Sequence, residues 1–449
     1  AASRRKPTPK DETMASPCPS SDESCSNQEL QGLFAGMPVQ IRRSETKGRY
    51  LVAARDVEEG ELLLVDQVYA CAVLPSHKKR VCNGCFEVGK KRLEISCREC
   101  GQVFYCSDTC RNQHWDGNGD SAKWCVPHSR LCKTLKHFAS SKCDNEMENV
   151  LRMMLEVIAR REKEEEEHAV KVTGPSGATP WAGADLVKKF QGCRLKTPEE
   201  SALTEMMDGL DSESNGRESS DTPSTSAVPS DEFTPEVYEF VNALPVLKYG
   251  EFCSLQSHAK GFSKVDMQDW NKPLKFLLRS MRLSEWSSDC LPNVSIALEL
   301  GSRIDSNCFG MYSNRGKRED CFGREVYLRI SYVNHSCDPN ARVTGGKGTA
   351  GVVAERLIRK GEEINISYFD SNVPVSTRQK YLRKHYHFSC ACSRCAAEMT
   401  ARKPARLSYS KSARNSAPVR PAPVPSPQER IDSRLQARIA AARARIVEE

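Results

Sequence analysis

Long hydrophobic runs are missing from this 449-residue chain. No stretch of about 18 or more apolar residues occurs, which excludes a membrane-spanning helix, and no membrane partner is expected. The N-terminus, AASRRKPTPKDETMASPCPSS, has no apolar centre, so it is not a secretory signal. The chain opens at Ala1 rather than at Met, which leaves residues upstream of it unaccounted for. An excess of one charge is missing too. The formal net charge is +7, yet residues 401–449 hold 11 Lys+Arg against 4 Asp+Glu, which leaves residues 1–400 neutral. Direct nucleic-acid binding is therefore not expected, save weakly through that basic tail.

Cysteine is abundant, at 21 residues. Without a secretory signal, these argue for thiolates kept reduced as metal ligands, in the nucleus or cytoplasm, rather than for a disulfide framework. Four two-ligand knuckles follow one another: Cys82 and Cys85, Cys97 and Cys100, Cys106 and Cys110, then His128 and Cys132. That is enough for two tetrahedral Zn2+ sites. So polar a segment cannot build much of a core, and metal binding must supply folding free energy, on the order of 10 kcal/mol per site. His114 and Cys125 lie between Cys110 and His128, and either is an alternative ligand. His128 is preferred because it stands one helical turn from Cys132. Farther along, Cys390, Cys392 and Cys395 leave a tetrahedral zinc one ligand short, and Cys337, in NHSCDPN, is the candidate fourth.

The order of knuckles, with FYCSDTC at the third and HSRLC at the fourth, resembles the MYND zinc finger. The resemblance implies interleaved sites: Cys82, Cys85, Cys106 and Cys110 on one zinc, Cys97, Cys100, His128 and Cys132 on the other. It also implies Pro-rich peptide partners for the finger.

Between motifs, the organisation is legible from pattern. RYLVAARDV and ELLLVDQV are strand-like runs joined at Glu58-Glu59-Gly60. Met147, Val150, Leu151, Met154, Leu155 and Ile158 form one helical face with Asp144 or Asn145 as N-cap, followed by a solvated REKEEEEH extension. Residues 199–232 carry ten acidic residues and one Arg, and are expected to be a disordered linker. Helical patterns run through 235–283, and Ser288–Asp289 is expected to cap another helix near 292–300. ARVT, GTAGVVAER and EEINISYFD are short β-like runs. Residues 401–428 are basic and Pro-rich, and include VRPAPVPSP, a polyproline II pattern that could occupy the finger's own groove. Ile431, Leu435, Ile439, Ala442 and Ile446 then share a helical face.

KGRYLVAARDVEEGELL, NHSCDPN, GEEINISYFD and HYHFSCACSRC occur in that order, with the finger after the first. Together they closely resemble the SET–MYND family of protein lysine methyltransferases over roughly residues 36–395. The resemblance implies an α+β fold, namely a β-rich SET domain with a pseudoknot, interrupted by the finger and a helical insert. The expected parts are a disordered segment 1–35, SET residues 36–81, the finger at 82–132 and a helical insert at 133–300. A catalytic part at 301–370, a post-SET zinc segment at 371–395 and a tail at 396–449 follow. It further implies S-adenosyl-L-methionine as cofactor, three zinc ions, and a protein substrate, histone or non-histone, presenting a lysine.

Residue by residue, the resemblance makes Tyr368 and Tyr386 catalytic and cofactor-contacting, with Tyr386 lining the lysine channel. Lys47, Gly48 and Arg49 match the first cofactor segment, Asn334 and His335 the Asn-His pair, Asn307 a CNSF-type contact, and Phe388 the adenine-stacking aromatic. Tyr50 departs from the family, standing where a second Gly is usual. With 54 residues after Cys395, the helical-repeat domain of many members is not expected, so substrate choice is not carried over. The competing reading is an adaptor and transcriptional regulator that docks partners through the finger, with weak or no methyl transfer.

Overall fold

The computed structural model describes residues 30–118, 125–172, 233–312, 321–346 and 348–401. Most of the expected disordered N-terminal segment, the acidic linker, and most of the tail with its Pro-rich stretch and terminal helix lie outside these. Residues 30–35, expected to be disordered, are instead ordered, with Leu30 and Phe34 buried and Gly32–Phe34 a 3-10 turn. Residues 396–401, expected in the tail, continue a helix from Ser393.

β1 (Val39–Ser44) and β2 (Gly48–Ala53) form an antiparallel hairpin. Gly48 takes φ +67 at its turn, a conformation that a side chain disfavours. β3 (Leu62–Val73) is buried along nearly all of its twelve residues, as its continuous apolar sequence requires. β2 and β3 were expected as adjoining runs, yet they enter different sheets. β3 is the centre of a five-stranded antiparallel sheet in the order β6 (Cys308–Tyr312), β7 (Cys321–Tyr327), β3, β10 (Thr349–Ala354) and β9 (Ala341–Gly346). An N-terminal strand thus lies between two C-terminal ones, and everything between residues 74 and 307 is an excursion from one domain. In the finger, β4 (Ile95–Ser96) pairs with β5 (Phe104–Tyr105), followed by α1 (Asp108–Asp116) and α2 (His128–His137).

The insert contains α3 (Asn145–Val172), α4 (Pro235–Ala243), α5 (Tyr249–Cys253), α6 (Lys264–Leu283) and α7 (Val294–Asn307). Asp144 caps α3 by accepting the Met147 N–H at 2.8 Å, while Asn145 instead accepts the Ser76 N–H at 3.0 Å. α3 is buried on every side from Val150 to Ala159, beyond the single stripe expected. Its charged extension is not wholly solvated either, since Glu164 accepts the Tyr249 N–H at 3.0 Å. The cap of α7 is Asn293, which accepts the Ile296 N–H at 2.9 Å, so the helix starts later than Ser288–Asp289 implied. It also runs on to Asn307 and delivers that residue to the start of β6.

A buried ion pair joins the distant parts. Asp66 of β3 accepts the Arg329 backbone N–H at 2.5 Å and its guanidinium at 2.9 Å. Arg329 also donates to the Leu33 and Pro245 carbonyls. Burial pushes the Asp66 carboxyl up while Arg329 pulls it down. Asp66→Ala strands the arginine, and urea unfolding should show a loss of about 3–5 kcal/mol.

Candidate active site and metal clusters

The finger's ligands come from tight local turns. Ser107 caps α1 by accepting the Cys110 N–H at 3.1 Å, which sets Cys110 one turn from Cys106. Gly84 lies against that turn, where an added Cβ would meet the Cys110 carbonyl at 2.9 Å. Cys82, Cys85, Cys106 and Cys110 converge, as do Cys97, Cys100, His128 and Cys132, and, far away, Cys337, Cys390, Cys392 and Cys395, each set with ligand atoms within 4.8 Å of one another.

All eleven cysteines are unbridged. Tetrahedral zinc with Zn–S near 2.3 Å spaces its sulfurs about 3.8 Å apart. The Sγ···Sγ distances are 3.7 Å for Cys85 to Cys106, and 3.5 Å for both Cys97 to Cys132 and Cys337 to Cys395. Burial lowers the His128 ring to about 3, so it is neutral, the form that binds metal. The donor sets fit Zn2+. His114 and Cys125 stand outside them: His114 Nδ1 is 3.1 Å from the Tyr105 hydroxyl, and Cys125 Sγ is 3.8 Å from Cys71.

The third cluster reaches into an aromatic cleft. Asn334 and His335 form β8 (Asn334–His335), which pairs in parallel with β11 (Asn365–Ile366). His335 Nε2 lies 3.3 Å from Cys337 Sγ, and its Nδ1 accepts the Tyr368 backbone N–H at 3.1 Å. The imidazole therefore links the metal cluster to Tyr368, and its ring nitrogens are both engaged within the protein. The Tyr368 hydroxyl donates to the Val333 carbonyl at 2.9 Å, and burial holds it protonated, well above the usual phenol range. Tyr386 lies 4.9 Å from Tyr368 between ring centroids, and Phe388 lies 6.2 Å from His335. Tyr368, Tyr386 and Asn307 line a cavity of about 1300 Å3, and Arg80, just before the finger, and Lys90 of the finger line it too.

The other anticipated residues gather beside this cleft. Asn334 Nδ2 donates to the Arg49 carbonyl at 3.3 Å. Arg49 donates to the Ser254 carbonyl and lies 5.2 Å from the Tyr332 ring, and Lys47 is ion-paired with Glu363. Asn307 Nδ2 donates to the Gln256 and Arg303 carbonyls at 2.9 and 2.7 Å.

Three residues escaped the sequence reading. Arg378 of α8 (Val375–His385) is fully buried, with Nη2 3.6 Å from Cys395 Sγ, a cation against the thiolates. Arg303 is 1% exposed and donates Nε to the Leu255 carbonyl at 3.0 Å, while its Nη1 has no hydrogen-bond partner among the described residues. The third, Glu325 of β7, is a buried carboxyl in the cavity lining. Arginines and glutamates are usually solvated, so position alone gives no signal for any of them.

Burial raises Glu325 from its ordinary 4.5 to about 8, while Tyr327 pulls it down. Its folded value exceeds the unfolded one, so the fold holds an extra proton between these limits. The associated stability is complete below about pH 4.5 and lost as pH rises through 8. Each pH unit between the two values is worth roughly 1.4 kcal/mol. Urea unfolding at pH 5 and pH 9 should therefore show Glu325→Gln gaining on the wild type by a few kcal/mol as pH rises.

The SET-domain family model matches residues 48–369. A SET and MYND domain-containing protein of Dictyostelium discoideum is 24% identical over 391 residues, covering 80% of this chain and 60% of that protein. The histone-lysine N-methyltransferase ASHR1 of Arabidopsis thaliana is 22% identical over 82% of this chain and 57% of its own length. The protein-lysine N-methyltransferase SMYD4 of Mus musculus is 25% identical over 429 residues, 86% of this chain and 50% of that one. The chain thus spans between half and two thirds of these three relatives.

Proposed function

The chain belongs to the SET-domain family, and on that premise we propose that it is an S-adenosylmethionine-dependent protein-lysine N-methyltransferase acting on histone or non-histone proteins. The observation that carries this reading is the fixed Tyr368 hydroxyl in the cavity wall, with its proton committed to the Val333 carbonyl. Toward a substrate it is therefore an acceptor. An acceptor there orients the N–H of an incoming amine, which aims the nitrogen lone pair.

Arg49 and Arg303 suit a cofactor carrying a carboxylate. They donate to the adjacent carbonyls of Ser254 and Leu255, and Glu299 lies 3.8 Å from Arg303. Burial lowers the Arg303 guanidinium from its ordinary value, and Arg49 adds repulsion. An anionic group against the unpartnered Nη1 would relieve both. Asn334, Asn307 and Phe388 would hold the remainder of the cofactor, which when bound supplies an electrophilic methyl on a sulfonium.

Tyr368 and Tyr386 wall the path of the lysine. Stripping water from its ammonium lowers the pKa, so the neutral amine becomes accessible. Among the described residues no carboxylate or imidazole hydrogen-bonds the Tyr368 hydroxyl, so the amine's proton leaves to water.

Calorimetry of S-adenosylmethionine binding tests the reading. Binding to the wild type is expected, and about 10- to 100-fold weaker binding to Arg303→Met at unchanged zinc content. No binding heat to the wild type would instead leave the finger-docking adaptor as the reading.

A further inference from the structure

We propose that two basic tripeptides, residues 78–80 just before the finger and residues 90–92 within it, form one docking surface for an acidic segment of the protein substrate. The inference rests on the methyltransferase reading for what the partner is, but not for the surface itself.

The sequence separates Lys78-Lys79-Arg80 from Lys90-Lys91-Arg92 by nine residues. The fold brings them side by side. Val81 and Val88 are bridged, the Gly89 N–H donates to the Arg80 carbonyl at 2.7 Å, and the Leu93 N–H donates to the Lys79 carbonyl at 2.7 Å. The two tripeptides, six cations in all, thus lie side by side at the finger's base, with Arg80, Lys90, Lys91 and Arg92 exposed. Lys78 donates to the Gln102 amide oxygen at 2.8 Å and Arg80 to the Gly89 carbonyl at 3.4 Å, both neutral acceptors. Among the described residues no carboxylate forms an ion pair with any of the six. Lys78 is lowered from its ordinary value by burial, then by Arg152, with Glu148 opposing and Lys79 adding repulsion. Against the six cations of the two tripeptides, Glu87 and Glu94 nearby are too few to neutralise the surface.

Position identifies the partner. Arg80 and Lys90 line the same cavity as Tyr368 and Tyr386, so a chain lying across these cations continues toward the two tyrosines. Elsewhere on the cavity the cations are matched: Arg324 pairs with Glu146 and Asp305, and Arg342 lies 4.0 Å from Glu355. The positive surface therefore stops at the finger's edge. It fits a short acidic stretch of peptide rather than the long phosphate track of a nucleic-acid duplex.

The test uses the full zinc-loaded chain and two fluorescein-labelled peptides with one lysine each. One has about four Glu and Asp beside the lysine, and the other has Gln and Asn in their place. Anisotropy should show the acidic peptide binding about tenfold more tightly at low salt, with the preference shrinking as salt screens it. Lys90→Gln/Lys91→Gln/Arg92→Gln should abolish the preference at unchanged zinc content. The charge-reversed Lys90→Glu/Lys91→Glu/Arg92→Glu should favour a lysine-rich flank. Equal binding of both peptides by the wild type, or a preference untouched by these substitutions, overturns the proposal. So does a 20-base-pair DNA duplex that binds the wild type more tightly than the acidic peptide at the same salt and loses that advantage in the Lys90→Gln/Lys91→Gln/Arg92→Gln chain. Binding is read without turnover, so an intact preference in a chain that transfers no methyl supports the surface and counts only against the enzymatic reading.

Discussion

Tyr368→Phe is expected to lower methyl transfer about 100-fold while leaving S-adenosylmethionine binding unchanged. The substitution removes one oxygen and keeps the ring, so the aromatic contacts with His335 and Tyr386 persist. What disappears is an acceptor held in place by its own donation to Val333 and by the His335 contact with the Tyr368 backbone. Misplacing a reacting amine by about an ångström costs on the order of a hundredfold, and that sets the magnitude. Initial rates against a lysine-rich protein pool, with calorimetry of the cofactor alongside, measure both quantities. An unchanged rate would take the role from Tyr368.

The larger effect on stability belongs to the metals. Metal analysis should find about three zinc ions per chain, and Cys132→Ser should lose one of them. A structural site contributes on the order of 10 kcal/mol, comparable to the whole stability of a typical domain of about 5–15 kcal/mol. Chelation or Cys132→Ser is therefore expected to unfold the finger, read as loss of protection in hydrogen exchange over residues 82–132. Loss of the third zinc has a second consequence. Cys337 Sγ lies 3.5 Å from Cys395 and 3.3 Å from His335 Nε2, and His335 holds the Tyr368 backbone. Cys395→Ser should therefore also depress transfer about 100-fold, although its sulfur touches no substrate. Full retention of zinc or of rate in these variants would contradict the assignment.

What was legible in the sequence is what is local. A knuckle is two ligands on one turn, so the spacing of Cys97 and Cys100, or of His128 and Cys132, already contains its geometry. Cys337 and the cluster at 390–395 were joined across more than fifty residues because three thiolates leave zinc incomplete, which is chemistry rather than pattern. Strands were less legible. CFGMY and CFGREVY are broken by Gly310 and Gly323, alternate poorly, and become strands because β3 offers an edge to β7 from across the chain and β7 in turn offers one to β6. α3 read as an amphipathic helix because Arg152 and Glu156 are charged. Yet Arg152 is buried beside Glu148 at 2.8 Å, and Glu156 accepts the Val126 N–H at 3.0 Å. The buried arginine at 329 pairs with Asp66, 263 residues away, a distance no local window spans. Those at 303 and 378 add to their near partners Glu299 and Val373 others 48 and 17 residues away. The finger's basic edge was hidden differently, by the neutral average of residues 1–400.

The measurement closest to the central claim is transfer of a deuterated methyl from S-adenosylmethionine to a lysine-rich protein pool, with mass spectrometry of the hydrolysed product. The prediction is labelled methyl-lysine with the wild type, and about a hundredth of it with Tyr368→Phe. No labelled methyl-lysine from a chain that holds its zinc and binds the cofactor, or label on another residue type, would contradict it.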